Sequence, residues 1–280
     1  ILNIYMSKIA FLFLTLDNVN LPELWEKYFR NNENRISIYC HAKYPDKVIV
    51  PWLKNNLISN LVETGWGYIV NAIYQLLVAA LEDKQNIKFL TISESCVPIR
   101  KFDELYKMLM SDNPRTSYIK FMKIKNYDYS ARIRNQEGYK KYKFYKHYAR
   151  YCLSRHHVKK LLLRKTDINF FIKMHVGDEF VLSLLEPFKN VKDFMITYDN
   201  WELIENKRKE LNKKIRMLYE KLEKKIDNKE LIKNKIKELQ EIRDNISKNP
   251  YAYEEVNLED LNKAKMTKAF FWRKFPKNSN

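Results

Sequence analysis

A chain of 280 residues, 45 % apolar and 14 % aromatic, can bury a sizeable core as one large domain or two small ones. Its net charge of +18 points to nucleic acid, acidic lipid or a phosphate-bearing substrate, although the Lys, Asn and Ile abundance of an A/T-rich coding sequence accounts for that charge without any partner. Four glycines exclude the Gly-rich phosphate loops, and every apolar run is too short or too interrupted to span a bilayer.

Ile1 to Tyr5 precede Met6 and are set aside; the N-terminus has neither the basic region nor the small-residue cleavage site of a signal peptide. Lys8 to Leu14 reads as a first buried strand. Asn20 to Phe29 fits a helix, with Pro22 in its first turn and Leu21, Leu24, Trp25 and Tyr28 on one face. Arg35 to His41 reads as a second strand. Glu63 to Glu82 fits a helix with an apolar stripe through Ile69, Ile73, Leu76, Leu77 and Ala80. Lys88 to Ile92 is the third strand and Phe102 to Met110 the helix after it. Alternating strands and helices predict an α/β fold with a mainly parallel sheet.

Ser117 to Ala149 is rich in Tyr, Lys and Arg and reads as an exposed insert or binding loop. A strand over Tyr151 to Ser154, a basic helix over Arg155 to Arg164, a helix over Val176 to Leu185 and a strand over Phe194 to Tyr198 follow. Then the pattern changes. Leu211, Ile215, Leu218, Leu222 and Ile226 have helical spacing, as do Ile232, Ile236, Leu239, Ile242 and Ile246, with Asp227-Asn228 as a turn between the runs. This predicts an antiparallel helical hairpin inserted at 205–248 into a domain made of 6–204 and 249–280. The hairpin either covers that domain or forms a homodimer contact.

Ser93-Glu94-Ser95-Cys96 ends the apolar run Phe89 to Ile92, as at the carboxyl end of a buried parallel strand, where α/β proteins bind ligands. Gly177-Asp178-Glu179 sets two acids at an expected helix start, where acids often only complement the helix dipole. Cys40, Cys96 and Cys152 are odd in number and irregular in spacing, which argues against a disulfide framework and for a reducing, cytoplasmic setting. No zinc spacing links His147, His156, His157 and His175, and no Asp-x-Asp motif occurs, so no metal site is expected.

These segments, in this order, resemble the Core-2/I-branching glycosyltransferases, glycosyltransferase family 14. Ser93 to Ile99 looks like the family's Ser-Glu-Ser-Cys-x-Pro-[Leu/Ile] signature. Lys8 to Thr15 and Ile38 to Ala42 resemble its first two strands, and Gly65-Trp66-Gly67 its Trp-Gly segment. Tyr151 to Arg155, Thr197 to Trp201 and Phe270 to Phe275 resemble its later motifs. The compact, Lys/Asn-rich form resembles members from large DNA viruses.

The resemblance implies a GT-A-like fold and an inverting, metal-independent transfer of a sugar, GlcNAc or xylose, from a UDP-sugar to an acceptor hydroxyl. It makes Glu179 the catalytic base, with Asp178 capping the helix or orienting that base. It places Thr15, His41, Trp66, Ser93, Glu94, Arg273 and Lys274 around the donor, with the basic pair neutralising the departing diphosphate in place of a metal. Trp201 and Tyr198 fall to the acceptor. The chain departs from the family's pattern at Asn71, where an Asp is usual, and at His41-Ala42-Lys43, where many members have His-x-Asp. A second diphosphate-binding Arg has no clear counterpart, with Lys265 and Lys268 as substitutes. No cofactor, nucleic-acid partner or membrane span is expected. The competing readings are a basic nucleic-acid-binding protein, whose affinity would collapse with salt, and a scaffold on a degenerate transferase fold.

Overall fold

The computed structural model of the protein describes residues 7–122, 133–223, 228–246 and 250–277. Its core is a six-stranded sheet in the order β2-β1-β3-β8-β5-β9. β1 (Lys8–Thr15) lies between β2 (Ile36–Ala42) and β3 (Asn86–Ser93), parallel to both. Beyond β3 the short strand β8 (Cys152–Ser154) runs antiparallel to it and to β5 (Ser117–Ile119), and β5 pairs in parallel with β9 (Val191–Asp193).

The sequence of β1 shows why the sheet is covered on both faces. Alternate side chains point to opposite sides, and Ile9 to Phe13 are all buried. Ala10 and Leu12 join α3 (Val70–Glu82), α5 (Arg155–Leu162) and α6 (Lys165–Lys173) in one core layer, through Ile73, Leu76, Leu77, Val158, Leu161 and Phe171. Ile9, Phe11 and Phe13 join α1 (Pro22–Phe29) and α4 (Phe102–Ser111) in the other. Phe11 meets Trp25, Tyr28, Phe29 and Phe271 edge-on, with ring centroids 5.0–6.4 Å apart. A four-residue helix, α2 (Pro51–Lys54), buries Leu53 beneath β2.

A second sheet stands at the carboxyl end of β3. β11 (Phe271–Arg273) pairs in parallel with β10 (Thr197–Asp199) and antiparallel with β4 (Val97–Pro98). It has its own core of Val97, Tyr198, Tyr253, Trp272 and Phe275, and α9 (Leu258–Met266) adds Ala264. A two-stranded ribbon, β6 (Phe121–Met122) with β7 (Lys146–His147), leads to the acid-bearing segment.

α7 (Glu202–Glu223) and α8 (Lys229–Asp244) lie against each other. Arg208 donates to Ile246 O at 3.3 Å, Arg243 to Asn212 at 3.5 Å and Gln240 to Tyr219 Oη at 3.3 Å, so the two chains run in opposite directions. Leu211, Ile215, Ile236 and Ile246 are buried. Ile226, from the first expected run, and Asp227, from the expected turn, lie outside the described residues. The chain returns close to where it left: Tyr251 N–H donates to Asn200 O at 3.0 Å, and Asn200 donates to the Tyr253 hydroxyl.

Four elements differ from expectation. The strand expected over Phe194 to Tyr198 is replaced by Val191–Asp193 in the main sheet and Thr197–Asp199 in the small one. The helix expected from Glu63 begins only at Val70, because Gly65 and Tyr68 bridge across a turn whose Gly67 sits at φ +78°. Ser117 to Ile119 is a buried strand and not exposed loop, while 123–132 lies outside the described residues. Val176 to Leu185 forms two 3-10 turns in place of a helix: Val176, left-handed at φ +56°, stays outside them, and the non-helical Phe180 at φ −132° separates Gly177–Glu179 from Val181–Leu185.

Candidate active site

The acid pair leaves α6 through a tightly constrained turn. Val176 N–H donates to Gly67 O at 2.7 Å, which docks the Gly65-Trp66-Gly67 loop against it. His175 packs between Trp66 and Tyr68, at 5.1 and 5.4 Å between ring centroids, and a Cβ on Gly67 would lie 2.6 Å from its ring. A Cβ on Gly177 would lie 2.1 Å from Phe171 O, so only glycine fits. A left-handed β-branched residue costs on the order of 1–3 kcal/mol, and this strain immediately precedes Asp178 and Glu179.

Glu179 remains partly accessible. Lys146 Nζ lies 3.1 Å from its Oε2, an ion pair with side chains 11 % and 28 % exposed. Lys146 is aimed by its neighbour: His147 is wholly buried, donates from Nδ1 to Tyr148 O at 2.9 Å and accepts Leu182 N–H on Nε2 at 3.2 Å. Burial pushes His147 down to about 4, so it stays neutral and ties β7 to the second 3-10 turn.

Asp178 is buried and caps nothing, which corrects the capping role expected of it: no side chain caps the turn at 177–179, and Asp178 Oδ1 has no hydrogen bond. Burial, and then the charge of Glu179, push it up to about 6, against the pull of Arg150 and Arg273. The parallel register of β10 and β11 sets Asp199 opposite Arg273, with Nε 3.5 Å from Oδ1. Burial raises Asp199 too, opposed by Arg273 and Arg150. Burial works against the Arg273 charge, but Asp199, Cys96, Glu94 and Asp178 outweigh it and raise its proton affinity. Lys274 is shifted down by burial and then by Arg273, with Glu94 opposing. Two part-buried arginines and two buried aspartates from four segments thus form a charge cluster joining the acid pair to the basic C-terminal strand. Arg150 Nε, Tyr151 Oη and Thr197 Oγ1 are also buried there without hydrogen bonds. Such orphans are rare in folded proteins, and each costs stability.

The end of β3 closes the cluster. Ser93 is buried, with Oγ 3.2 Å from Cys96 Sγ and 3.4 Å from Ser95 Oγ, and Glu94 faces Arg273 and Lys274 electrostatically. Thr15, at the end of β1, is buried and donates from Oγ1 to Asp17 O at 2.7 Å. Asp17 pairs with Lys277 at 2.8 Å, so the C-terminal segment also reaches the β1 exit.

Other expected site residues stand elsewhere. His41 has no exposed surface; its Nε2 accepts Val62 N–H at 2.9 Å and secures the loop before α3. Tyr198 belongs to the small sheet's core and offers no open ring face. Trp201 is half-buried at the start of α7, and Trp66 is 64 % exposed beside His175. Lys265 and Lys268 are exposed on and after α9. Lys146, Arg150 and Asp199 were missed. Asp199 was legible in retrospect, inside the Thr197 to Trp201 segment, but Lys146 and Arg150 were hidden in a run of similar Tyr and Lys residues. A cleft of about 320 Å³ between α3 and α6, lined by Asn71 among others, shares no residue with this cluster. Among the described residues, no group of three or more His, Cys, Asp and Glu side chains is arranged to hold a metal ion, and no helix is long and apolar enough to cross a membrane.

The family model for Core-2/I-branching enzymes matches residues 9–182. The chain belongs to the Core-2/I-branching enzyme family. The match takes in the ends of β1 and β3 and the Asp178-Glu179 pair, and ends before Arg273-Lys274. Over 122 residues the chain is 32 % identical to Glycosyltransferase BC10 of Oryza sativa subsp. japonica, a stretch that is 40 % of this chain and 30 % of that protein. The chain therefore spans less than a third of the length of that relative.

The buried Asp178 has a pH signature. Its value in the fold, about 6, exceeds its ordinary 3.8, so the folded state holds the extra proton between those limits. Its contribution to stability is greatest in acid and falls by roughly 2–3 kcal/mol as pH rises through that window. Asp178→Asn should flatten this slope and be no less stable than the wild type at neutral pH. Urea unfolding at pH 4, 5 and 7 checks this; an unchanged slope in the variant would contradict it.

Proposed function

We propose that the protein is a glycosyltransferase that moves a sugar from a UDP-sugar to an acceptor hydroxyl, with inversion and without a metal ion. The observation that carries this reading is the joining of a partly accessible glutamate to a part-buried basic strand end through one charge cluster, in a chain of this family. The acceptor oxygen attacks the anomeric carbon and forms the new C–O bond, while Glu179 takes the hydroxyl proton. The bond from that carbon to the diphosphate oxygen breaks, and UDP leaves with the electron pair. Lys274, with Arg273 behind it, stabilises the charge that develops there, the work a divalent ion does in other transferases. The missing Asp-x-Asp motif and the concentration of cations support the metal-free form.

Lys146 holds the Glu179 carboxylate in place through their ion pair. Asp178, its neighbour in the chain and electrostatically coupled to it, orients that base. GlcNAc and xylose are the donor sugars the resemblance favours. The GT-A-like domain is 6–204 with 249–280, and 205–248 is an inserted helical hairpin; the adjacency of Asn200 with Tyr251 and Tyr253 supports that division. Three buried, reduced cysteines fit a cytoplasmic setting, and the apolar residues left on the helical pair suit a homodimer contact.

Two variants test the roles. Glu179→Gln keeps the shape but cannot take the proton, so transfer should fall by roughly 10²–10⁴-fold with UDP affinity little changed. The wild-type rate should persist in excess EDTA. Near-normal transfer by Glu179→Gln would remove the base, and strict dependence on added Mn²⁺ or Mg²⁺ would remove the metal-free mechanism. Lys274→Ala should weaken UDP binding by roughly 1.5–3 kcal/mol, the worth of a charge-assisted hydrogen bond. Calorimetric titration with UDP checks it; equal affinity would leave Lys274 without a donor role.

A further inference from the structure

The cleft between α3 and α6 takes no part in the chemistry above. At about 320 Å³ it lies at the lower end of small-molecule pocket sizes. Its polar lining is almost entirely carboxamide: Asn71 and Gln75 from α3, Asn60 from the loop before it, and Asn169 from α6. Lys165 is the single charged residue among those lining it, and no carboxylate does so. Tyr74 adds an aromatic ring, and the buried Ile168 an apolar patch.

The amides are linked. Asn60 Nδ2 donates to Gln75 Oε1 at 2.8 Å, and Gln75 Nε2 donates to Asn71 Oδ1 at 3.3 Å. This relay fixes which end of each amide faces where. It leaves Asn60 Oδ1 as an acceptor at one end and Asn71 Nδ2 as a donor at the other. Gln75 and Asn71 project from a helix whose opposite face is packed on the sheet, so the array is held on a rigid element.

The chemistry discriminates among ligands. A metal ion finds no anionic oxygen, and a phosphate finds one cation. A nucleobase, which is best held between two rings, finds one. Neighbouring hydroxyls of a pyranose each donate and accept, as the amide array does, and a pyranose C–H face suits the Tyr74 ring and the apolar patch. We propose that this cleft binds a neutral saccharide of one or two pyranose units, as a contact with a glycan separate from the acid pair. The proposal does not depend on the transfer reaction.

Chitobiose and cellobiose, titrated into the ¹⁵N-labelled full chain, test it. The side-chain NH₂ resonances of Gln75 and Asn169 are assigned by their loss in Gln75→Leu and Asn169→Ala. They are expected to shift and saturate with at least one disaccharide at millimolar concentration. Gln75→Leu should weaken that binding about tenfold, and Glu179→Gln should leave it unchanged. Asn169→Ala, at an exposed helix position, gives the same reading should Gln75→Leu fold poorly. Amides that do not move with either disaccharide, affinity unaltered by both cleft variants, or saturation of these amides by uridine in place of a disaccharide would each overturn the proposal. A failed transfer assay with Glu179→Gln would not.

Discussion

The turn that follows β3 holds the candidate site together. Glu94 O accepts Asn20 N–H at 2.9 Å, Ser95 O accepts Phe275 N–H at 3.0 Å, and Cys96 O accepts the Trp25 indole N–H at 3.1 Å. Three successive carbonyls, the last two on buried residues, thus fix the entry to α1, the C-terminal segment and α1 itself. Leaving any of them without a donor costs about 1–3 kcal/mol. Trp25 also stacks on Phe271 at 5.6 Å, which seats β11 against the main core. Once β11 is fixed, its register with β10 sets Asp199 against Arg273, and Arg273 with Arg150 draws in Asp178. A short loop at a strand end therefore determines where charges from residues far apart in sequence meet.

That meeting is costly to the fold. Two buried aspartates and two part-buried arginines must lose hydration, and burial dominates the shifts of Asp178 and Asp199. The orphaned atoms on Arg150, Tyr151 and Thr197 add to the cost, as does the left-handed Val176. A chain selected for stability alone would fill this volume with apolar groups. Strain and unmet polar demand gathered at one place are what a preorganised site requires, since fixed charges need no reorganisation when a reaction's charge develops.

Much of the architecture was legible because buried parallel strands write themselves as unbroken apolar runs. Ile9 to Phe13 and Phe89 to Ile92 could hardly be anything else, and the Ser93 to Cys96 turn, Glu179 and Arg273-Lys274 stood out by motif. What was not legible depended on long-range geometry. Ser117 to Ile119 is too short to show periodicity, and only pairing with β8 and β9 makes it a strand. The acid pair looked like a helix start, but the non-helical Phe180 cuts the segment into two 3-10 turns. His41 stands at a strand end as expected, with Nε2 accepting Val62 N–H and Nδ1 buried without a partner. Arg150 and Lys146 acquire meaning only from what lies opposite them.

The central claim is that the strand ends, the β3 turn and the basic C-terminal strand form one UDP-binding surface. Hydrogen exchange of the protein with and without UDP tests it most directly. The account predicts slowed exchange at Leu16 to Asn18, at Ser93 to Cys96 and at Arg273 to Phe275 together, with α3 and α6 unaffected. Protection confined to the cleft between α3 and α6, or no protection at Arg273 to Phe275, would contradict it.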